Sequence, residues 1–337
     1  MKIKYVLTLG MFSLAMVVLA PLLSACSLLG QTNKAQSAVT PSTSTPSTST
    51  STAPGASFDG YGIYESCSPK DEAASCFSHL DTMAAAGFKL VLNYVELYGD
   101  ANFQKAYLDH AQSVGMKVIL PFKDPTFYSG GSLRAKFPAL AQTCNCSNNT
   151  GFMQYVVNLV KNHPALWGYY VGDEVSPGNH DNLKSELADV VHRLDPKHPR
   201  LFIDSAGNST AVWRGNSPFY DTADVIGSDF YPVREGLNNY PTIDETARVA
   251  SGTQMYADAH GESAAIVLQA FSRSQYGVSG DPYPTADQMQ TMLSQTLANA
   301  HPRVILWYSY YDTMSFDNGT QNWANLKATI ARNIPKY

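Results

Sequence analysis

The sequence predicts one α/β domain, a closed (β/α)8 or TIM barrel, on three observations. Eight short apolar runs rich in Val, Ile, Leu and Tyr recur along residues 58–337. Most are followed by a polar turn and then a helix-length amphipathic stretch. The segment also has the length of one large domain, in which eight alternating units close into a barrel more readily than they spread into an open doubly wound sheet.

The chain starts outside that domain. Lys2 and Lys4 precede an apolar run from Tyr5 to Leu23 and the small-residue stretch Leu23-Ser24-Ala25-Cys26, so residues 1–25 read as an export signal. Leu-Ser-Ala-Cys resembles the lipobox of bacterial lipoproteins, which implies lipidation of Cys26 and a membrane contact through that anchor. Residues 26–57 are Ser, Thr, Pro, Ala and Gln with almost no large apolar side chain, including "TPSTSTPSTSTSTAPGAS". Such a segment buries too little surface to offset chain entropy and reads as a disordered tether, with a reach on the order of 30 Å. The expected location is the cell envelope, on the outer face of the cytoplasmic membrane, or outside the cell.

Within the domain the strand candidates are, in order, "GYGIYES", "FKLVLNYV", "MKVILPF", "LWGYYVG", "RLFIDS", "DVIGSDFY", "AIVLQAF" and "RVILWYSY". Helix candidates lie between them, among them "DEAASCFSHLDTMAAAG", "NFQKAYLDHAQSVG", "GFMQYVVNLVKNHP", "DNLKSELADVVHRLDP" and "TADQMQTMLSQTLANAHP". Several end in the Gly or Pro that stops a helix. The fifth connection, "GNSTAVWRGNSPFYDT", is the weakest helix of the set.

Composition narrows the ligand. Charged residues are 15% of the chain, tyrosines number 20 and the net charge is −5, so nucleic acid and anionic surfaces are poor partners and neutral, hydroxyl-rich molecules are good ones. No Gly-rich phosphate loop, serine elbow or histidine pair at metal spacing occurs, so no cofactor and no metal are expected. A monomer is expected. Besides Cys26 there are Cys67, Cys76, Cys144 and Cys146, which suit two disulfides after export. A direct Cys144–Cys146 link closes a very tight ring, so crossed bridges to Cys67 and Cys76 stay open.

A barrel of this kind carries its active site at the C-terminal ends of the strands. Those ends hold Glu65; Asn93 and Glu96; Lys123 and Asp124; Asp173 and Glu174; Asp204; Asp229 and Tyr231; Gln269; and Trp307, Tyr310 and Asp312. A lone aspartate there more often caps a helix or a turn. Acids on seven of eight strand ends are a different matter, because sugar hydroxyls need convergent acceptors and pyranose faces need aromatic platforms. Trp307 is the expected platform.

"HPALWGYYVGDEV", followed a helix later by "LDPKHPRLFI", resembles the central segment of the clan A retaining (β/α)8 glycoside hydrolases. The resemblance implies that Glu174, at the end of the fourth strand, is the general acid/base. If the backbone is extended there, Asp173 and Glu174 point to opposite sides, with Asp173 anchoring a basic group and Glu174 facing the pocket. Clan A enzymes carry a nucleophilic glutamate at the end of strand seven, where this chain has Gln269 in "IVLQAFS". Glutamine cannot do that chemistry, and Glu262 precedes the strand, at the opposite end of the barrel. Asp229 or Asp312 is then the candidate second carboxylate, as nucleophile at a separation of about 5–5.5 Å or as base at about 6.5–9.5 Å. A third route resembles the chitinases, in which the substrate supplies the nucleophile and Glu174, Asp173, Tyr231 and Trp307 take the protein roles. The sequence thus reads as a hydrolase of a neutral poly- or oligosaccharide, with a non-catalytic carbohydrate-binding lipoprotein as the competing reading.

Overall fold

The computed structural model describes residues 57–234, 242–278, 281–316 and 318–333. The export signal, Cys26 and nearly all of the tether lie outside those residues. Eight parallel strands close in sequence order into one barrel: β1 (Gly60–Glu65), β2 (Leu90–Asn93), β3 (Lys117–Pro121), β4 (Leu166–Asp173), β5 (Arg200–Ser205), β6 (Val225–Phe230), β7 (Ser263–Gln269) and β8 (Val304–Tyr308). The seam is β1 on β8, with Ile63 opposite Trp307.

The apolar runs are continuous because both faces of each strand are covered. Leu90, Leu92, Ile119, Leu201, Val267 and Leu306 fill the barrel interior. The alternate residues, such as Val91, Val118, Phe202, Ile266 and Trp307, belong to the larger core that packs against the helices. This two-residue alternation decides which strand-end side chains reach the mouth.

Helices follow the local signals. Asp100 caps Ala101–Ser113 by accepting from the Phe103 amide, and Thr285 with Gln288 forms a reciprocal capping box on Ala286–Asn299. Pro69–Ala85, Asn149–Val160 and Glu245–His260 cover further strands. Between β4 and β5 the helix runs through a π segment, Leu183–Ala188. The β5–β6 connection has no full helix: it is built of two 3-10 turns, Val212–Arg214 and Phe219–Asp221. Those turns sit where the sequence pattern is weakest.

Cys67 bonds Cys76 and Cys144 bonds Cys146, with Cα separations of 5.4 and 5.2 Å. The crossed pairings are therefore not formed. Each bridge joins neighbours in sequence, one pinning the β1 loop to the first helix and the other closing a turn in the β3–β4 connection.

Candidate active site

At the C-terminal mouth of the barrel lies a cavity of about 1140 Å3, lined by both acids of the "GDEV" stretch together with Asp229, Tyr231, Tyr94 and Tyr308. β4 delivers the acid pair. The strand ends at Asp173, and the next residue, Glu174, adopts a left-handed backbone with φ of 48°. Few non-glycine residues sit there, and the Glu174 amide is held by a 2.9 Å bond to the Ile203 carbonyl. Because the chain leaves the extended conformation at this point, both side chains line the cavity, and the opposite-sided arrangement expected of a straight strand does not occur.

Asp173 is fully engaged. It accepts from Lys123 Nζ at 2.6 Å, from the Tyr94 hydroxyl at 3.0 Å and from the Tyr170 hydroxyl at 2.7 Å. The Lys123 ammonium also lies 3.2 Å from the centre of the Tyr94 ring. Asp173 therefore anchors a base-plus-tyrosine cluster, as a neighbour of Glu174 with its acceptors occupied should.

Glu174 is the exposed member, and its carboxyl hydrogen-bonds that of Asp229. Asp229 comes from the end of β6 at an inward position and is buried. Burial pushes its carboxyl well above the usual range, and the Glu174 charge and hydrogen bond push the same way. A weaker bond from the Ala206 amide at 3.4 Å opposes this. Burial and the Glu174 charge beside it therefore favour the neutral form of the Asp229 carboxyl. Asp204, buried beside them, is raised to about 6, chiefly by burial and also by the charge of Glu174.

Five of the fourteen strand-end residues line this cavity: Lys123, Asp173, Glu174, Asp229 and Tyr231. The others are elsewhere for identifiable reasons. Trp307 is fully buried in the core between barrel and helices, because β8 turns Leu306 and Tyr308 inward and Trp307 outward. It is not a sugar platform; Tyr308 has the cavity position. The same alternation sends Glu65 outward to His79 Nδ1 at 3.2 Å and Asn93 outward to the Cys67 carbonyl at 2.9 Å. Glu96 is buried beneath the β2 loop, where desolvation holds its carboxyl well above the usual range. Tyr310 packs edge-on against Trp323 at 5.0 Å.

Asp124 caps a 3-10 turn through the Thr126 amide and pairs with Lys136 at 2.9 Å. Gln269 clamps both polar backbone groups of Val233, at 2.8 and 3.0 Å, and donates to the Phe271 carbonyl at 3.1 Å. It ties the β6 loop to β7 as a structural link. Asp312 accepts from Ser309 Oγ at 2.5 Å and from the Tyr276 hydroxyl at 2.8 Å, so it acts on the cavity only through Tyr276, which lines it. Asp204 accepts from Asn208 at 3.1 Å and stands behind the pair.

The cavity also holds residues that strand-end reading passes over. Trp213, Arg214, Arg248, Arg273 and Tyr276 all reach it from connections after strands or from the helix between β6 and β7. Their sequence signal is weak, since loop positions carry no periodicity. Among the described residues no group of three His, Cys, Asp or Glu is placed to hold a metal ion.

This fold is shared with solved glycoside hydrolases. The endo-beta-1,4-mannanase of Thermotoga petrophila matches with a TM-score of 0.52 at 10% identity, over 83% of this chain and 78% of that one. A glycoside hydrolase family 5 structure from Bacteroides vulgatus matches with a TM-score of 0.52 at 10% identity, over 75% of this chain and 58% of that one. At such identity the likeness is one of fold. No family model matches the sequence, and no curated protein does.

Proposed function

We propose that the chain is a glycoside hydrolase of the cell envelope, tethered through Cys26 or released, in which Glu174 and Asp229 share the chemistry. The observation that carries this reading is the meeting of the two carboxyls in the mouth cavity, where burial and the Glu174 charge push the Asp229 carboxyl well above the usual range. Glycosidic cleavage needs a proton delivered to the leaving oxygen and a carboxylate to attack or stabilise the sugar cation. Glu174, exposed in the cavity, takes the donor role; Asp229, at the floor, is the second carboxyl. Tyr94, Tyr231 and Tyr308 supply the apolar and hydroxyl surface that a sugar ring requires.

A second reading has its own observation. The strand-seven position is Gln269, saturated by backbone partners, so a cleft that binds glycans without cutting them fits the same walls. A panel of plant and microbial glycans incubated with the native chain and with Glu174→Gln separates the two. A hydrolase releases sugar, and the variant loses about 10²–10⁴-fold in kcat. Undiminished turnover in Glu174→Gln removes that residue from the mechanism. Binding with no turnover by the native chain establishes the non-catalytic reading.

A further inference from the structure

The acidic net charge and sparse basic residues predict a neutral ligand, but the basic residues are not evenly spread. Of the nine arginines in the chain, four, namely Arg214, Arg234, Arg248 and Arg273, line the mouth cavity, with Lys123. The cavity's acids neutralise Lys123 and Arg248 but not Arg214 or Arg273. Asp173 is paired with Lys123 and Glu245 with Arg248, and burial with the Glu174 charge favours the neutral form of Asp229. No carboxylate of the described residues forms an ion pair with Arg214 or Arg273, and Arg273 Nε is buried with no hydrogen-bond partner.

The guanidinium groups are also held in place. Arg214 lies 4.1 Å and Arg248 4.6 Å from the Trp213 ring centre, so one indole carries two planar cations. The indole is fixed by its own Nε1–H, which donates to the Ala206 carbonyl at 2.8 Å. The Ala206 amide in turn bonds Asp229, as described above. Arg248 gives its N–H edge to Glu245, whereas Arg214 donates only its Nε–H, to the Asn208 carbonyl at 3.2 Å, so the stacked Arg214 plane keeps its two terminal nitrogens for an oxyanion in two-point contact. Arg273, in the 3-10 turn Arg273–Tyr276 after β7, brings a further cation to the same space.

We infer that the sugar bound in this cavity is acidic, bearing a carboxylate or a sulfate ester that Arg214, stacked on Trp213, and Arg273 receive. This deepens the carbohydrate reading of the site and rests on it. An anionic substituent also suits a site that places a positive wall against a carboxyl pair: the arginines offset the repulsion that Glu174 exerts on an acidic ligand.

Matched glycans test it. Polygalacturonate against its full methyl ester probes carboxylates, and dextran sulfate against dextran probes sulfate esters. Affinity electrophoresis in the Glu174→Gln background, which stops turnover, reads binding alone. At least tenfold tighter binding of the acidic member in one pair is expected, weakening with salt, and the pair that shows it names the group. Arg214→Gln with Arg273→Gln should abolish the preference. Lys70→Gln with Lys105→Gln, the same charge change on exposed helix positions, should keep it.

Equal binding of both members, no binding of either acidic glycan, or equal loss in the lysine control overturns the inference. The hydrolase reading is judged separately, by turnover of the native chain. Acid preference without turnover removes the hydrolase and leaves the acidic ligand. Turnover of neutral glycans that the arginine changes do not alter does the reverse.

Discussion

One strand position decides whether a side chain reaches the mouth of this barrel. Trp307 and Tyr308 are neighbours, yet one is core and the other lines the cavity, because the strand repeat is two residues. Asp204 and Asp229 differ in the same way: each is a strand-end aspartate, and only the second faces inward. Asp204 still acts at a distance. Its charge, present above about pH 6, adds negative charge beside Glu174. Replacing it by Asn removes a negative charge and favours the ionised pair. We expect Asp204→Asn to move the alkaline limb of the kcat/KM profile down, by roughly half a unit, with the maximal rate little changed. An alkaline limb that moves up, or stays, contradicts the placing of the Asp204 charge beside the two carboxyls.

The elements carry the next level of constraint, since a functional carboxyl is only as well placed as the strand end beneath it. β4 reaches the mouth through Gly172, where an added Cβ would lie 2.3 Å from Phe202 Cδ2. The Phe202 ring cannot retreat, because it is buried and stacks on Phe219 at 4.4 Å. Gly172→Ala must therefore push the end of β4 outward or strain the core, at a cost of about 1–3 kcal/mol. A loss of tenfold or more in kcat/KM with a lower Tm is expected, and full activity at an unchanged Tm would show that the strand end absorbs the methyl freely. The loops are less legible. The β5–β6 connection lacks a helix pattern, and what reads as a poor helix is the segment that brings Trp213 and Arg214 to the cavity.

At the scale of the whole molecule, the candidate site and the buried Glu262 occupy opposite ends of the barrel. Glu262 precedes β7, far in sequence register from the mouth, and is surrounded by Asp224, Arg200 and Asp221. Burial, with the nearby Asp224 charge, raises its pKa from 4.5 to about 8. Between those values the folded chain holds a proton that the unfolded chain has released, so this group's contribution to stability falls as pH rises from about 4.5 to 8. Glu262→Gln removes that loss. Its Tm should exceed the native value by a few degrees at pH 9 and by little at pH 5. A gain equal at both pH values, or larger at pH 5, refutes the assignment. By itself the sequence determined the eight-unit alternation, the barrel and the place of Asp173 and Glu174 at the end of its fourth strand. All of these follow from local periodicity and the direction of parallel strands. Which second carboxyl meets Glu174, which aromatic faces the cavity and where the arginines converge were decided only by the tertiary structure. Those facts depend on strand parity, on a left-handed residue after β4 and on loops whose positions are set by distant packing.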